Sequence, residues 1–480
     1  MRKFYITTAL PYVNAPPHLG FALELVEADA IARFHRQKGE EVIFNTGTDE
    51  HGLKVYRAAQ VEGKEPQAYV DEYAAKFKKL REALNVTFTN FIRTTSPFHK
   101  KAAQEFWRRC ASSGDIYKAA YRIKYCIGCE LEKTDSELEN GLCPIHPSLP
   151  IEEIEEENYF FRFSRYERQL LELYRGNPRF VLPEFRFNEI VSFVEGGLKD
   201  FSISRLAKKM PWGVPVPGDP EHVMYVWFDA LINYISTIGW PYDYERFSAF
   251  WPGIQIAGKD NLRQQSAMWQ AMLISAGLPP SRQILIHGFV TSEGRKMSKS
   301  LGNIVDPFQL VERYSTDAVR YYLLREIPSD DDGDFSESKF RDRFNGDLAN
   351  GLGNFASRVL TIASRYDNLD GREKLQKNIA EQIEETRRQV EEKIENFKLH
   401  EALQEIWKLI ALGDTYINSE KPWKEHNLQA VFNLTALLES IASLLIPFLP
   451  EAAEKIMKCV TWEGKTLRVK RCEALFPRLS

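Results

Sequence analysis

The sequence predicts an α/β protein: a parallel sheet whose two βαβ halves are separated by an inserted domain, followed by an all-α helical bundle. Three observations carry that prediction. Two strand–helix–strand patterns lie far apart in the chain, a cysteine-containing stretch with charged strands and several prolines stands between them, and the last third is helical nearly throughout.

In the first half, "KFYITTAL" and "EEVIFNTGT" read as buried strands. Between them Phe21 to Lys38 reads as a helix with Leu25, Ala28, Ile31, Ala32 and Phe34 on one face, stopped at Gly39. The second half repeats the pattern, with "GIQIAGKD" and "RQILIHGFV" as strands around a helical "NLRQQSAMWQAMLISAG". An insertion is expected from about Cys110 to about Pro220. After Ile304, apolar spacing such as Ile379, Ile383, Val390, Ile394 and Phe397, and later "VFNLTALLESIASLLIPFL", marks the bundle. The expected boundaries are 1–109 and 221–290 for the halves of the sheet domain, 110–220 for the insertion, 291–345 for a loop and linking helical region, and 346–480 for the bundle.

A chain of 480 residues with 44% hydrophobic and 27% charged residues has a soluble globular composition and room for several cores. The net charge of −4 gives a nucleic-acid partner no general support, so such a partner must rest on local sites. "MRKFYITTAL" reaches a proline too soon for a signal peptide, and no long uncharged apolar stretch stands out, so secretion and membrane insertion are disfavoured. Among six cysteines, Cys126, Cys129 and Cys143 cluster with His146, while Cys110, Cys459 and Cys472 stand apart. That distribution suggests a metal site plus free thiols in a reducing cytoplasm, not a disulfide framework.

Four motifs carry chemistry. In "PPHLGF", Gly20 lets a ligand approach the backbone, the following helix aims its N-terminal amides at an anion, and His18 adds a donor; the bland alternative is a turn histidine. "SEGRKMSKSLGN" places Lys296, Ser298, Lys299 and Ser300 in a glycine-flanked loop after a strand, cations and hydroxyls suited to a polyphosphate. The spacing C-x2-C-x13-C-x2-H, with Gly128 and Pro144 inside the two knuckles, indicates tetrahedral zinc with a full ligand set, hence a structural ion. "FNTGTDEHG" sets Asp49 at the end of a strand, either as an amine-binding carboxylate or as a helix N-cap. The stripe Trp227, Ala230, Leu231 and Tyr234 reads as one helix face, and "PSDDDGDFSE" as a solvated loop with a helix cap and no metal.

"PHLGF" and "KMSKS", in this order on two halves of a split sheet, resemble the nucleotide motifs of class I aminoacyl-tRNA synthetases. Over essentially its full length the chain is similar to the methionyl-tRNA synthetase family of that class, through "TALPYVNAPPHLG", "NTGTDEHG", the single knuckle, "YVWFDALINY", "AGKD", "KMSKS", "LANGLGNFASR" and "EKPW". The resemblance implies a Rossmann-like catalytic domain with a zinc-knuckle connective insertion and an anticodon-binding bundle. It implies that His18, Gly20, Lys296 and Lys299 hold the phosphates of ATP, with Mg2+, and that Gly258 and Asp260 hold its ribose. Asp49 takes the ammonium group of L-methionine. The Leu10 amide and the Tyr234 hydroxyl meet its sulfur, and Tyr12, Trp227, Ala230, Leu231, Gln265 and Trp269 complete the pocket. Arg205 matches an arginine near the reacting centre, and Asn350, Asn354, Arg358 and Trp423 match readers of the tRNA(Met) anticodon.

Two positions depart from the family pattern. Phe21 stands where a second histidine is usual and cannot donate to a phosphate; Gln265 stands for a pocket histidine and carries no charge. Two rival readings remain at this stage: another class I synthetase, which would need a larger editing insertion or a different pocket, and an inactive synthetase-like tRNA-binding protein. A monomer is expected, because the chain ends soon after the bundle.

Overall fold

Six strands form the sheet: β1 (Lys3–Thr8), β2 (Glu41–Thr48), β3 (Asn90–Arg93), β4 (Val181–Leu182), β5 (Ile254–Gly258) and β6 (Gln283–His287). Their spatial order is β3-β2-β1-β5-β6-β4. β1 runs parallel to β2 and β5, β2 to β3, and β6 to β4. The chain moves outward from β1 through β2 to β3, crosses to β4 at the opposite edge, and then enters β5 beside β1, so the switch point lies between β1 and β5, where such sheets open a ligand crevice. β1 and β2 each expose one end residue and bury every other, as strands covered on both faces do. The computed structural model describes residues 2–479 except 130, 134, 298–301, 367–368, 371–374, 425–426 and 464–465.

The stretch expected as an insertion is built on a long antiparallel pair, Ile116–Cys126 with Ile151–Phe161, in register from Ile116↔Phe161 to Cys126↔Ile151. The cysteine cluster occupies the tip of this pair. The same stretch also supplies β4, which joins the parallel sheet beside β6. Nothing in the two-residue "VL" distinguishes it from any apolar dipeptide, so this return is legible only in the tertiary structure.

The chain divides into two compact units, one of residues 1–17, 41–79 and 88–286, the other of 18–40, 80–87 and 287–480. The helix α1 (Leu19–Gln37) therefore belongs to the second unit although it connects β1 to β2 in sequence. Within that unit α1 buries Asp29, which binds Arg33 at 2.7 Å, Arg320 at 2.9 Å, and the amide and hydroxyl of Thr87 at 2.7 and 2.6 Å. Burial alone would push the Asp29 carboxyl up, but Arg320 and Arg33 outweigh it and hold the group below the usual carboxylate range. Arg320, itself fully buried, also donates to the carbonyls of Leu84, Pro447 and Phe448 at 2.8 to 3.0 Å, so its buried charge is compensated on every side.

The bundle contains α2 (Asn354–Ala363), α3 (Lys377–Glu395), α4 (Leu399–Glu420), α5 (Leu428–Leu445) and α6 (Pro450–Cys459). Ile379, Ile383, Val390 and Ile394 of α3 are all buried, as their spacing predicts. α5 is long and apolar enough by composition to cross a membrane, with mean hydropathy 1.5, and 61% of it is buried as in a core helix. Two expectations need correction. The acidic run is not merely solvated: Gly333–Phe335 pairs in parallel with Val290–Ser292, Asp332 accepts from the Phe289 amide at 2.8 Å, and Asp334 accepts from Thr291 and Gly294 at 2.7 Å each. Ser336 then caps the helix Glu337–Arg343, as expected.

The second correction concerns thiols. Cys459 and Cys472 form a disulfide, with Cα atoms 6.1 Å apart. The antiparallel hairpin Val460–Glu463 with Thr466–Val469 causes it, because pairing Val460 with Val469 returns the chain beside its own start. These two cysteines therefore leave the set of free thiols on which a reducing compartment was argued. Cys110 remains free and buried, and burial pushes its thiol up to about 12, which leaves it inert at neutral pH.

Candidate active site

At the carboxyl end of β2 the chain stays extended, and Asp49 pairs with Tyr12 in an isolated parallel bridge. The Asp49 amide donates to the Pro11 carbonyl at 3.0 Å, and the Val13 amide donates to the Asp49 carbonyl at 3.3 Å. Asp49 is 3% exposed. The helix that follows starts at Leu53 with Gly52 as its N-cap, so Asp49 is not a helix cap. Leu10, half-buried, lies just past β1, where the Ala9 amide donates to Ile256 of β5. Tyr12 stands edge-on to Trp227 at 6.3 Å, with the Lys54 ammonium 5.3 Å from its ring centre.

The stripe from Trp227 to Tyr234 is not one helix. It breaks into Val226–Ala230 and Asn233–Ser236 because the Asn233 side-chain amide takes the Ala230 carbonyl at 2.7 Å, the acceptor that a continuous helix would offer to the Tyr234 amide. Ala230, Leu231 and Tyr234 are buried, and Tyr234 lies 6.0 Å from the Trp269 ring. Trp269 is fully buried and stacked on Phe106, so it serves the core as well as any pocket. Gln265 donates from its side chain to the Tyr234 hydroxyl. It sits in a π-helical turn, Gln264–Met268, a distortion frequent at functional sites. Gly258 ends β5 and is buried; Asp260 is exposed in the following 3₁₀ turn, Lys259–Asn261. Arg205 is buried between the Tyr125 and Tyr225 rings, at 5.3 and 4.4 Å, and donates to Ser202 and to its own strand at 2.8 and 2.7 Å.

In the second unit His18 is the N-cap of α1, its Nδ1 accepting the Gly20 amide at 3.1 Å. A Cβ at Gly20 would stand 3.0 Å from the His18 ring, so a side chain there would push the imidazole aside. The Leu19 amide donates to the Val305 carbonyl at 3.1 Å, which ties the start of α1 to the chain leaving the "KMSKS" segment. Lys296 ends a short hairpin strand, Arg295–Lys296, paired with Thr291–Ser292. Ser298, Lys299 and Ser300 lie outside the described residues.

Cys126, Cys129, Cys143 and His146 place their ligand atoms within 4.8 Å of one another and form a possible metal site. The Cys129 sulfur lies 3.5 Å from that of Cys143 and 3.2 Å from His146 Nδ1. Ligands about 2.3 Å from a tetrahedral ion stand about 3.7 Å apart, so these four fit one. A Cβ on Gly128 would meet the His146 ring at 2.4 Å, which explains the glycine between the first two cysteines.

Of the four bundle residues, Asn350 lies in a π-helical stretch, Phe344–Gly353, and accepts from Arg478 Nε at 2.8 Å. Asn354 opens α2 and is exposed; Arg358, one turn on, is braced by Asp414 at 3.1 Å and Asn418 at 2.6 Å. Trp423 is 44% exposed.

The family model for class I tRNA synthetases (M) matches residues 4–149 and 129–360, and that for the anticodon-binding domain of tRNA ligase matches residues 376–475. The methionine–tRNA ligase of Thermotoga maritima is 44% identical over 96% of this chain and 76% of its own length. That of Thermosynechococcus vestitus is also 44% identical, over 94% and 89%. The chain belongs to the methionyl-tRNA synthetase family. Among solved structures, the Mycobacterium tuberculosis methionyl-tRNA synthetase in complex with methionyl-adenylate matches with a TM-score of 0.94 and 38% identity over 100% of both chains. The apo form of that enzyme matches with a TM-score of 0.86 and 35% identity over 100% of this chain and 99% of its own.

Sequence reasoning missed buried groups that support this methionyl-tRNA synthetase fold. Asp229 lies between His51 Nδ1 at 2.5 Å and His99 Nε2 at 2.9 Å, linking the segment after β2 to the helices that carry Trp227 and Tyr234. Burial alone would raise its carboxyl, but the two imidazoles hold it down at about 2. The motif "FDALIN" contains Asp229, yet its partners lie 178 and 130 residues away, and no local spacing announces them.

Proposed function

We propose that this protein ligates L-methionine to tRNA(Met) in two steps, and the observation that carries the reading is the full-length match to methionyl-tRNA synthetases. The methionine carboxylate, already ionised at neutral pH, attacks the α-phosphorus of ATP. The bond to pyrophosphate breaks and methionyl-adenylate forms. A hydroxyl of the terminal ribose of tRNA then attacks the carbonyl carbon, gives up its proton, and AMP leaves with the electrons of the broken anhydride bond. The first step needs positioning and charge stabilisation more than a general base.

His18, the amides at Gly20, Lys296 and Lys299 act on the phosphates; Gly258 and Asp260 hold the ribose. Asp49, buried and backbone-anchored, takes the ammonium group. The Leu10 amide and Tyr234 meet the sulfur, with Tyr12, Trp227, Ala230, Leu231, Gln265 and Trp269 around the side chain. Arg205 serves the reacting centre. Asn350, Asn354, Arg358 and Trp423 read the anticodon, a ring to stack on with polar and cationic neighbours. Cys126, Cys129, Cys143 and His146 hold structural Zn2+, a reading supported by their donor set of thiolate sulfurs completed by one imidazole nitrogen. Magnesium arrives with ATP. The protein is read as cytoplasmic and monomeric, which fractionation and sedimentation test.

Amino-acid-dependent ATP–pyrophosphate exchange tests the reading. Exchange with methionine above all other standard amino acids is expected; preference for another amino acid would replace the substrate. No exchange from folded protein that binds tRNA would favour the inactive tRNA-binding alternative, for which Phe21 and Gln265 are the motive.

A further inference from the structure

We propose that a directional relay of uncharged side chains, Gln270, Ser281, Gln255 and Gln265, holds the Tyr234 hydroxyl as a hydrogen-bond donor toward the substrate side chain, and so sets discrimination of a thioether from a methylene. The proposal rests on the reading that Tyr234 meets the methionine sulfur.

The polarity of the relay has a fixed origin. The Ser281 backbone amide donates to Gln270 Oε1 at 2.9 Å, and a backbone N–H can only donate. Gln270 is thereby turned so that its Nε2 donates to Ser281 Oγ at 3.1 Å and to the Gln265 carbonyl at 2.7 Å. Ser281 Oγ, having accepted, gives its proton to Gln255 Oε1 at 2.6 Å. Gln255 then faces Gln265 Oε1 with its Nε2, at 3.3 Å, and Gln265 turns its own Nε2 to the Tyr234 hydroxyl. An amide nitrogen has no lone pair to accept with, so the hydroxyl accepts from Gln265 and keeps its proton for donation.

Every member is buried, at 5% exposure or less, so water does not compete for these bonds. The Tyr5 hydroxyl donates to the Tyr234 carbonyl at 2.7 Å and fixes the backbone from the other side. A donor presented this way suits sulfur, a weak acceptor, and is left unsatisfied by a methylene in the same place. A histidine at position 265 could present either a lone pair or a proton to Tyr234; Gln265, oriented by Gln255, presents only the proton.

The test compares kcat/KM for methionine and norleucine, which replaces the sulfur by a methylene, in ATP–pyrophosphate exchange. Gln255→Glu removes the donor to Gln265 Oε1, frees that amide to turn, and lets it accept the tyrosine proton. Its methionine-to-norleucine ratio is expected to fall about tenfold or more, chiefly through the KM for methionine. Gln255→Leu, which adds no buried charge, is expected to lower the ratio in the same direction, and Ser281→Thr, which keeps the hydroxyl, to retain it. An equal fall for both substrates in the Gln255 variants would overturn the relay, since lost packing cannot tell sulfur from methylene. A wild-type ratio in both Gln255 variants alongside a lowered ratio in Tyr234→Phe would overturn the relay and leave the pocket reading standing. An unchanged ratio in Tyr234→Phe would overturn both.

Discussion

Single residues carry the sharpest consequences. Gly128 packs its bare Cα against the His146 ring, where a methyl would come within 2.4 Å. Gly128→Ala is therefore expected to displace the imidazole and reduce bound zinc from about one per chain to well below half, measured by elemental analysis of protein purified without chelator. Full zinc content in that variant would show that the knuckle can shift around a side chain. Lys299 is argued from chemistry alone: removing one preorganised donor to a reacting phosphate costs on the order of 10²–10³ in rate. Lys299→Ala is expected to fall in that range in single-turnover adenylate formation, and a wild-type rate would remove it from the mechanism.

At the scale of elements, the residues proposed for the site gather where regular helix gives way. Gln265 lies in a π turn, Asn350 in a π-helical stretch, and Tyr234 in the short helix Asn233–Ser236, next to the break that its neighbour Asn233 makes. Each departure re-aims a side chain that an ideal helix would direct elsewhere. On α2, Arg358 is held by two partners from α4, so its guanidinium has a defined direction before any tRNA arrives. Arg358→Ala should raise the KM for tRNA by roughly 10- to 100-fold, the range of a charged hydrogen bond, while leaving ATP–pyrophosphate exchange unchanged. A matching loss in exchange would mean that the substitution disturbs the fold and not the reading of tRNA.

For the molecule as a whole, a buried cluster in the second unit makes stability depend on pH. Burial alone would push the His287 imidazole down, but the Glu24 carboxylate at 3.0 Å and nearby Glu27 outweigh it and hold it up at about 9. Because the folded value lies above the unfolded value near 6.5, this contribution is fully present below that pH and is lost as pH rises through about 9. Glu27, pushed up to about 8 chiefly by burial, also holds its proton more tightly when folded and acts in the same direction. The Tm is thus expected to decline between pH 6.5 and 9, with a shallower decline in His287→Gln. Equal slopes in the two proteins would sink the assignment. None of this was legible in sequence, because Glu24 and His287 stand 263 residues apart.

What the sequence by itself determined was everything that depends on short-range pattern. Buried strands flanking an amphipathic helix, the knuckle's ligand spacing and the periodicity of α3 all follow from neighbours in the chain, because backbone geometry converts such spacing directly into a shared face or a shared set of ligand atoms. Only the tertiary structure decided what depends on distant partners. It returned Val181–Leu182 to the parallel sheet, joined Cys459 to Cys472 across a hairpin, assigned α1 to the second unit, and oriented Tyr234 through Gln255, Gln265, Gln270 and Ser281. The physical reason is common to all four: a pairing, a disulfide, a packing face or a hydrogen-bond direction belongs to two partners at once, and the sequence states each partner without stating which other one it will meet.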